Sequence, residues 1–322
     1  MPLISIVVPC YNEQESLPIF LKELDDVVCS MSKNDPSISF EAVLIDDGSA
    51  DATLSVMREE AAAIHSYAIR WFSFSRNFGK EAGLLAGLQH AKGDYVATMD
   101  ADMQDPPSLL PQMYEILQNE DYDNVATRRT TREGEPPIRS FCARVFYKII
   151  NRISNADIVD GARDFRLMKR PMVDAIISMG ECNRFSKGIY GWVGFKTKWL
   201  PYVNINRVAG ETKWNFFTLL LYSIDGIVAF STAPLSVAAL TGIIFCLVAI
   251  LGFCVILVKT LVWGDPVGGW PSLACLITLF GGMQLLCLGI IGEYLAKAYL
   301  ETKRRPIYIV RESNEDSDDT VQ

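Results

Sequence analysis

Residues Tyr95-Val96-Ala97-Thr98-Met99-Asp100-Ala101-Asp102-Met103-Gln104-Asp105-Pro106-Pro107 carry the reading of the fold. A short apolar run ends abruptly in three carboxylates within six residues, and like charges at the mouth of a buried strand repel and are costly to desolvate. Asp105-Pro106-Pro107 reads as a turn and helix start, proline being at home in a first helical turn. That leaves Asp100 and Asp102, whose side chains share a side if the segment is extended, with Gln104 continuing the same side. Two carboxylates and an amide oxygen are hard ligands of the kind Mg²⁺ or Mn²⁺ accepts together with phosphates and waters. The alternative is an ordinary acidic turn.

Three earlier runs end the same way. Ile4–Val8 leads into Pro9-Cys10-Tyr11-Asn12-Glu13, Ala42–Ile45 into Asp46-Asp47-Gly48-Ser49, and Ile69–Phe74 into Ser75-Arg76-Asn77-Phe78-Gly79-Lys80. Helical patterns lie between them: one starts at Ser16-Leu17-Pro18 with Ile19, Phe20, Leu24 and Val27 on one face, and another covers Glu81 to Ala91. Strand, polar loop and helix in repetition predict an α/β fold with a mostly parallel sheet and helices on its faces. The polar clusters then gather at the carboxyl ends of the strands, where open α/β sheets bind ligands. Adjacent Asp46 and Asp47 suit hydrogen bonds from a ribose hydroxyl or a base N–H, against the plain alternative of a helix entry.

The later half differs in kind. From Gly226 to Val258 and again from Pro266 to Gly292 the chain carries no charged residue. Each stretch exceeds the roughly 20 residues needed to cross a hydrocarbon core of about 30 Å, so two transmembrane helices are expected. Ile4–Val8 is a strand-like run with no basic segment before it, so the first 225 residues are expected to remain cytoplasmic. Lys297, Lys303, Arg304 and Arg305 follow the second span, whereas residues 259 to 270 offer one Lys and one Asp. The positive-inside rule therefore places both termini in the cytoplasm of a plasma-membrane protein, with Trp263 and Trp270 at the outer interface.

Residues 207–228 contain the polar loop Arg207–Trp214 and then Asn215–Leu221, expected as an amphipathic helix in the interface with Lys213 at headgroup depth. The domains expected are therefore 1–206, 207–228, 229–298, and a basic then acidic tail over 299–322. Five acids and no base between Glu312 and Gln322 account for most of the net charge of −8, and that tail reads as disordered and solvated. The eight cysteines form no C-x-x-C pair, which points to a reducing compartment without a disulfide framework or zinc site.

Seven basic residues between Arg128 and Arg152, Arg139 among them, suit a solvated face, anionic lipid headgroups or an anionic substrate held by arginine forks. With two membrane spans in the chain, nucleic acid is not an expected partner. In Gly161-Ala162-Arg163-Asp164-Phe165-Arg166-Leu167-Met168 one acid stands between two arginines, and a structural ion pair is the plain reading.

Pro9 to Glu13, Asp46 to Thr53, Ser75 to Lys80, Asp100 to Pro107, Asp164 to Met168, Thr212-Lys213-Trp214 and Gly292-Glu293-Tyr294-Leu295 follow one another in order. Together they resemble the family 2 glycosyltransferases with the GT-A fold, within them the polyprenyl-phosphate glycosyltransferases related to dolichol-phosphate mannose synthase and bactoprenol glucosyltransferase. The resemblance implies that Pro9, Tyr11, Glu13, Asp46 and Asp47 surround the base and ribose of a nucleotide-sugar. It also implies that Asp100, Asp102 and Gln104 form a DXD-type metal site at the donor diphosphate, Asp102 being the surest ligand. Arg128, Arg139 and Lys213 are its candidates for the acceptor phosphate, and Asp164 matches a position proposed as catalytic base.

A phosphate monoester nucleophile is already ionised near neutral pH, which lessens the need for that base. The activity implied is metal-dependent inverting transfer of a hexose from a UDP-sugar to undecaprenyl phosphate, making a lipid-linked donor for cell-surface glycans. UDP-glucose comes first and UDP-N-acetylglucosamine second. A non-catalytic nucleotide-sugar-binding partner in the membrane is the alternative of a different class. Gly281-Gly282 and Gly289 allow close helix approach, so a homo-oligomer is plausible on this reading.

Overall fold

The computed structural model describes residues 1–129, 151–152, 159, 161–202, 227–229, 231–263 and 269–315. The chain divides into two compact units, Met1–Ser223 with Pro306–Gln322, and Ile224–Arg305.

In the first unit, β1 (Leu3–Cys10), β2 (Ser39–Asp46), β3 (Ala68–Phe74) and β4 (Tyr95–Thr98) are parallel neighbours, joined through α1 (Leu17–Asn34), α2 (Thr53–Ala62) and α3 (Lys80–His90). Ile4, Ile6, Val7 and Val8 are all fully buried, as expected of a strand covered on both faces. α1 buries Leu17, Phe20, Leu21, Leu24, Val28 and Met31 at helical spacing. Ile19, expected on that stripe, is instead 43% exposed. Gly87 of α3 lies so close to β1 that an added Cβ would meet Val7 Cγ1 at 2.1 Å, so a residue without a side chain lets the helix sit down on the sheet.

After the acidic turn come a short 3-10 turn at Pro107–Leu109 and α4 (Leu110–Asn119), followed by β5 (Asn124–Arg129), β6 (Ala162–Lys169), α5 (Arg170–Ser178), α6 (Ser186–Trp192) and β7 (Thr197–Tyr202). β6 runs antiparallel to both β4 and β5, and β7 runs parallel to β5. With a last strand, β8 (Val310–Ser313), the sheet order is β7-β5-β6-β4-β1-β2-β3-β8. β2 and β4 flank β1 on opposite sides, so the strand order reverses there. That is the switch point at which α/β sheets open a crevice for ligands.

β8 corrects the expectation of a wholly disordered tail. It pairs antiparallel with β3, aligning Phe72 with Ser313, Ser73 with Glu312 and Phe74 with Val310. Asn314 continues the ladder with its side-chain amide, accepting from Trp71 N–H at 2.8 Å and donating to the Ile69 carbonyl at 2.9 Å. The acids that read as solvated are paired: Glu312 with Arg58, and Glu315 with Arg70 and, at 3.1 Å, Lys92. Residues 316–322 lie outside the described residues.

The second unit holds α7 (Ala233–Trp263) and α8 (Trp270–Lys303), of 31 and 34 residues. Ala233–Gly252 and Leu279–Lys303 have mean hydropathies of 2.5 and 1.5, and both helices are long and apolar enough to cross a membrane. Leu251, Leu285 and Leu288 are each more than 60% exposed. Contacts of Ser231 with Tyr294, Ala238 with Cys287 and Phe245 with Phe280 show the two helices antiparallel, since one partner's number rises as the other's falls. Gly281, Gly282 and Gly289 have nothing within 4 Å of an added Cβ, so they do not serve this helix pair. Of the segment 207–228, only residues 227 and 228 are described, and they are helical.

Candidate active site

The loops leaving β1 and β2 are laced together by side chains. Asn12, in the left-handed region at φ 56°, accepts from Ala50 N–H at 2.9 Å, and its own N–H reaches Ser49 Oγ at 3.0 Å. Glu13 N–H donates to Thr53 Oγ1 at 2.8 Å, while its carboxylate takes the Ser16 hydroxyl. Pro9, next to last in β1, is in register with Ile45, and Tyr11 beyond the strand is 39% exposed.

Asp46 and Asp47 are buried and bound to the chain itself. Asp46 accepts from Ser49 N–H at 3.0 Å and from Ser73 Oγ at 2.7 Å. Asp47 accepts from Phe78 N–H at 2.6 Å and Gly79 N–H at 2.9 Å. Burial pushes the Asp47 carboxyl up, and the two N–H groups work against that. The pair thus ties the β2 loop to the β3 loop. Gly48 between them has φ 65° and leaves room for nothing larger: an added Cβ would lie 2.5 Å from the Arg76 carbonyl carbon.

The acidic turn departs from the extended geometry expected for it. β4 ends at Thr98, the backbone turns, and Met103 takes φ 61°. Asp102, 7% exposed, accepts from Gln104 N–H at 3.1 Å. Residues 100, 102 and 104 therefore do not share a side by strand alternation, and the Gln104 amide oxygen is engaged by Arg163 at 3.2 Å. Asp105 does more than begin a helix. It is fully buried, and one of its oxygens accepts from Arg163 Nε at 3.2 Å and from the Tyr202 hydroxyl. Burial pushes the Asp105 carboxyl up, Arg163 opposes this, and Asp100 is near enough to add repulsion. Its second oxygen is buried without a hydrogen-bond partner among the described residues.

β6 turns Asp164 and Arg163 to different partners. Asp164 pairs with Lys80, not with its neighbouring arginines, and Arg163 serves the acidic turn. Lys80, the first residue of α3, reaches Asp100 at 2.8 Å and Asp164 at 2.6 Å. Burial alone would raise the Asp164 carboxyl, but Lys80, with Lys187 and Arg166, overrides it and holds the group well below the usual carboxylate range. Loss of water around the Lys80 ammonium disfavours its charge, although 43% of the side chain is exposed, yet Asp100 and Asp164 together raise its pKa well above the ordinary value. One cation thus joins the ends of β4 and β6. Glu81, next in α3, accepts from Ser186 N–H at 2.9 Å and so fixes the start of α6.

Arg128 is exposed near the end of β5, in register with Ala162 of β6. Arg139 and Lys213 lie outside the described residues. Lys80, Arg163 and Arg166 were not among the candidate residues read from sequence, although the run Arg76-Asn77-Phe78-Gly79-Lys80 was a signal for the first of them. Among the described residues no group of three or more His, Cys, Asp or Glu is assembled as a metal cage. Even so, Asp100 and Asp102 are hard oxygen donors, and the partnerless buried oxygen of Asp105 beside Asp100 marks an excess of negative charge. Those residues fit a divalent cation that draws its remaining ligands from a substrate and water.

A mostly parallel sheet with aspartates following its fourth strand puts the acidic turn where α/β sheets bind ligands. The chain belongs to glycosyl transferase family 2, whose description matches residues 5–177. It is 40% identical to the putative glycosyltransferase CsbB of Bacillus subtilis (strain 168), over 97% of this chain and 92% of that protein. It is 41% identical to the bactoprenol glucosyl transferase of Shigella phage SfV, over 96% of this chain and 98% of the relative. Among solved structures, mannosyl-3-phosphoglycerate synthase from Rubrobacter xylanophilus is similar at 17% identity, over 70% of this chain and 72% of that one, with a TM-score of 0.46.

Proposed function

We propose that this glycosyltransferase moves a hexose, glucose in the first instance, from a UDP-sugar to undecaprenyl or another polyprenyl phosphate at the cytoplasmic face of the membrane. The observation that carries the reading is the Lys80-linked cluster of Asp100 and Asp164, next to Asp102 in the acidic turn, where the carboxyl end of β4 meets the amino end of the antiparallel β6. The two apolar helices and the full-length likeness to a bactoprenol glucosyl transferase support the acceptor class.

Pro9, Tyr11, Glu13, Asp46 and Asp47 frame the base and ribose, the two aspartates through lone pairs left over from their loop contacts. Asp100 and Asp102 would hold Mg²⁺ or Mn²⁺, which when bound supplies positive charge toward the departing diphosphate. Gln104 would join them only by releasing Arg163. An acceptor phosphate oxygen attacks C1 of the sugar, the bond from C1 to the diphosphate oxygen breaks, and UDP leaves with its electron pair. An α-linked donor then yields a β-linked product.

Asp164, held ionised by Lys80, keeps a fixed negative charge at the reacting centre and is a weak proton acceptor there, which suits a nucleophile that brings no proton. Arg128, Arg139 and Lys213 remain candidates for the acceptor phosphate. The full chain in detergent, given UDP-[14C]glucose and undecaprenyl phosphate, is expected to move label into the organic phase, with unlabelled UDP-N-acetylglucosamine competing poorly. Label confined to the aqueous phase, with UDP binding intact by calorimetry, would instead favour a non-catalytic binder.

A further inference from the structure

Beside the Lys80 cluster lies a cavity of about 190 Å³ between β6, α6 and β7. Its lining includes Arg166, Lys187, Tyr190, Phe195, Thr197 and Trp199. Arg166 is the largest of the fully buried side chains, 2% exposed, and its guanidinium lies 3.4 Å from the centre of the Tyr190 ring. Among the described residues its guanidinium makes one hydrogen bond, a 3.3 Å contact to the Arg163 carbonyl, and its Nε is buried with no hydrogen-bond partner. A desolvated guanidinium with an unmet donor is costly unless an anion completes it. Lys187 stands on α6 close enough to stabilise the Asp164 carboxylate, so two cations face one small space at the edge of the reacting centre.

The volume equals about six water molecules, smaller than the roughly 300 Å³ and upward of pockets for drug-sized ligands, so a whole nucleotide does not fit. The described lining offers no carboxylate or side-chain amide, which leaves the hydroxyls of a neutral sugar short of acceptors. It does offer two cations, a threonine hydroxyl and three aromatic rings. That combination suits a charged head on an apolar stem.

We propose that this cavity is an acceptor subsite, in which Arg166 and Lys187 bind a phosphate monoester while Phe195 and Trp199 take the first apolar carbons of its stem. This rests on the function proposed above and extends it, adding an inner grip to the candidates on the rim and in the segments outside the described residues. Lys187 is half-buried and at a helix surface, so it can be changed without opening the core, whereas Arg166 cannot.

The test uses the full chain in detergent micelles. Farnesyl phosphate is expected to bind measurably by calorimetry, with farnesol and inorganic phosphate each at least tenfold weaker. Lys187→Met should raise the KM for the lipid acceptor and the farnesyl phosphate Kd about tenfold, the order expected for one charge-assisted hydrogen bond. The KM for the sugar nucleotide should stay unchanged, and Lys187→Arg should recover most of the loss. A loss confined to the donor KM, farnesol binding as tightly as farnesyl phosphate, or unchanged acceptor constants in Lys187→Met would overturn the assignment. Farnesyl phosphate binding without transfer from UDP-glucose would leave the cavity standing and refute the donor reading. Transfer with an unmoved acceptor KM would do the reverse.

Discussion

Lys80 is the residue on which the site turns. Two carboxylates, one in the turn after β4 and one on β6, would repel across the site, and its ammonium makes their closeness tolerable. In Lys80→Met that charge is gone while burial of Asp164 remains, so the carboxyl pKa rises from its depressed position. The ionised form, present well into acid in the native protein, is then lost at higher pH. We expect the acid limb of the kcat/KM profile to move to higher pH and kcat at neutral pH to fall about a hundredfold. A pH-rate profile checks both, and an acid limb that does not move would remove Lys80 from this role.

Sequence reading reached the Arg-Asn-Phe-Gly-Lys run but not the lysine's partners. These lie 20 and 84 residues further along the chain, and no local periodicity encodes such a meeting. Beside its candidacy as catalytic base, Asp164 had the plain reading of an ion pair with one of the arginines flanking it in sequence. Alternation along β6 sends them to opposite partners, a distinction available only once the segment is known to be a strand.

At the scale of elements, β1 to β4 were legible because each couples a short apolar run to an abrupt polar cluster, the pattern that a doubly covered parallel strand requires. β6 was not, since Arg163, Asp164 and Arg166 interrupt its apolar residues, and the lysine that pairs with Asp164 lies far away in sequence. β8 was hidden for a related reason. Val310-Arg311-Glu312-Ser313 has the composition of a solvated tail, and it is ordered by Arg58, Arg70 and Lys92 on elements distant in sequence.

β8 also covers the edge of β3, which would otherwise present unpaired N–H and C=O groups to other chains. A chain ending at Ile309 is expected to melt about 5 °C lower than the full chain, from the loss of roughly 1–2 kcal/mol in a unit of this size. It should also aggregate faster after partial heating. Differential scanning fluorimetry and light scattering check this, and unchanged melting would make β8 incidental.

At the scale of the whole molecule, the division into an α/β unit and a two-helix apolar unit was plain from the charge-free stretches. In the proposed reading the second unit's exposed leucines face lipid rather than water. The acidic turn is where the sequence reading was most consequential and least complete. Asp100 and Asp102 were singled out by their crowding, whereas the engagement of Gln104 with Arg163 and the burial of Asp105 depended on a turn that alternation did not predict.

The most direct test is therefore transfer of label from UDP-glucose to undecaprenyl phosphate by the full chain, measured before and after EDTA and in Asp102→Ala. We expect a loss of at least about a hundredfold in both cases, with Mg²⁺ or Mn²⁺ restoring the chelated enzyme but not the variant. Transfer that persists through chelation and through Asp102→Ala would contradict it.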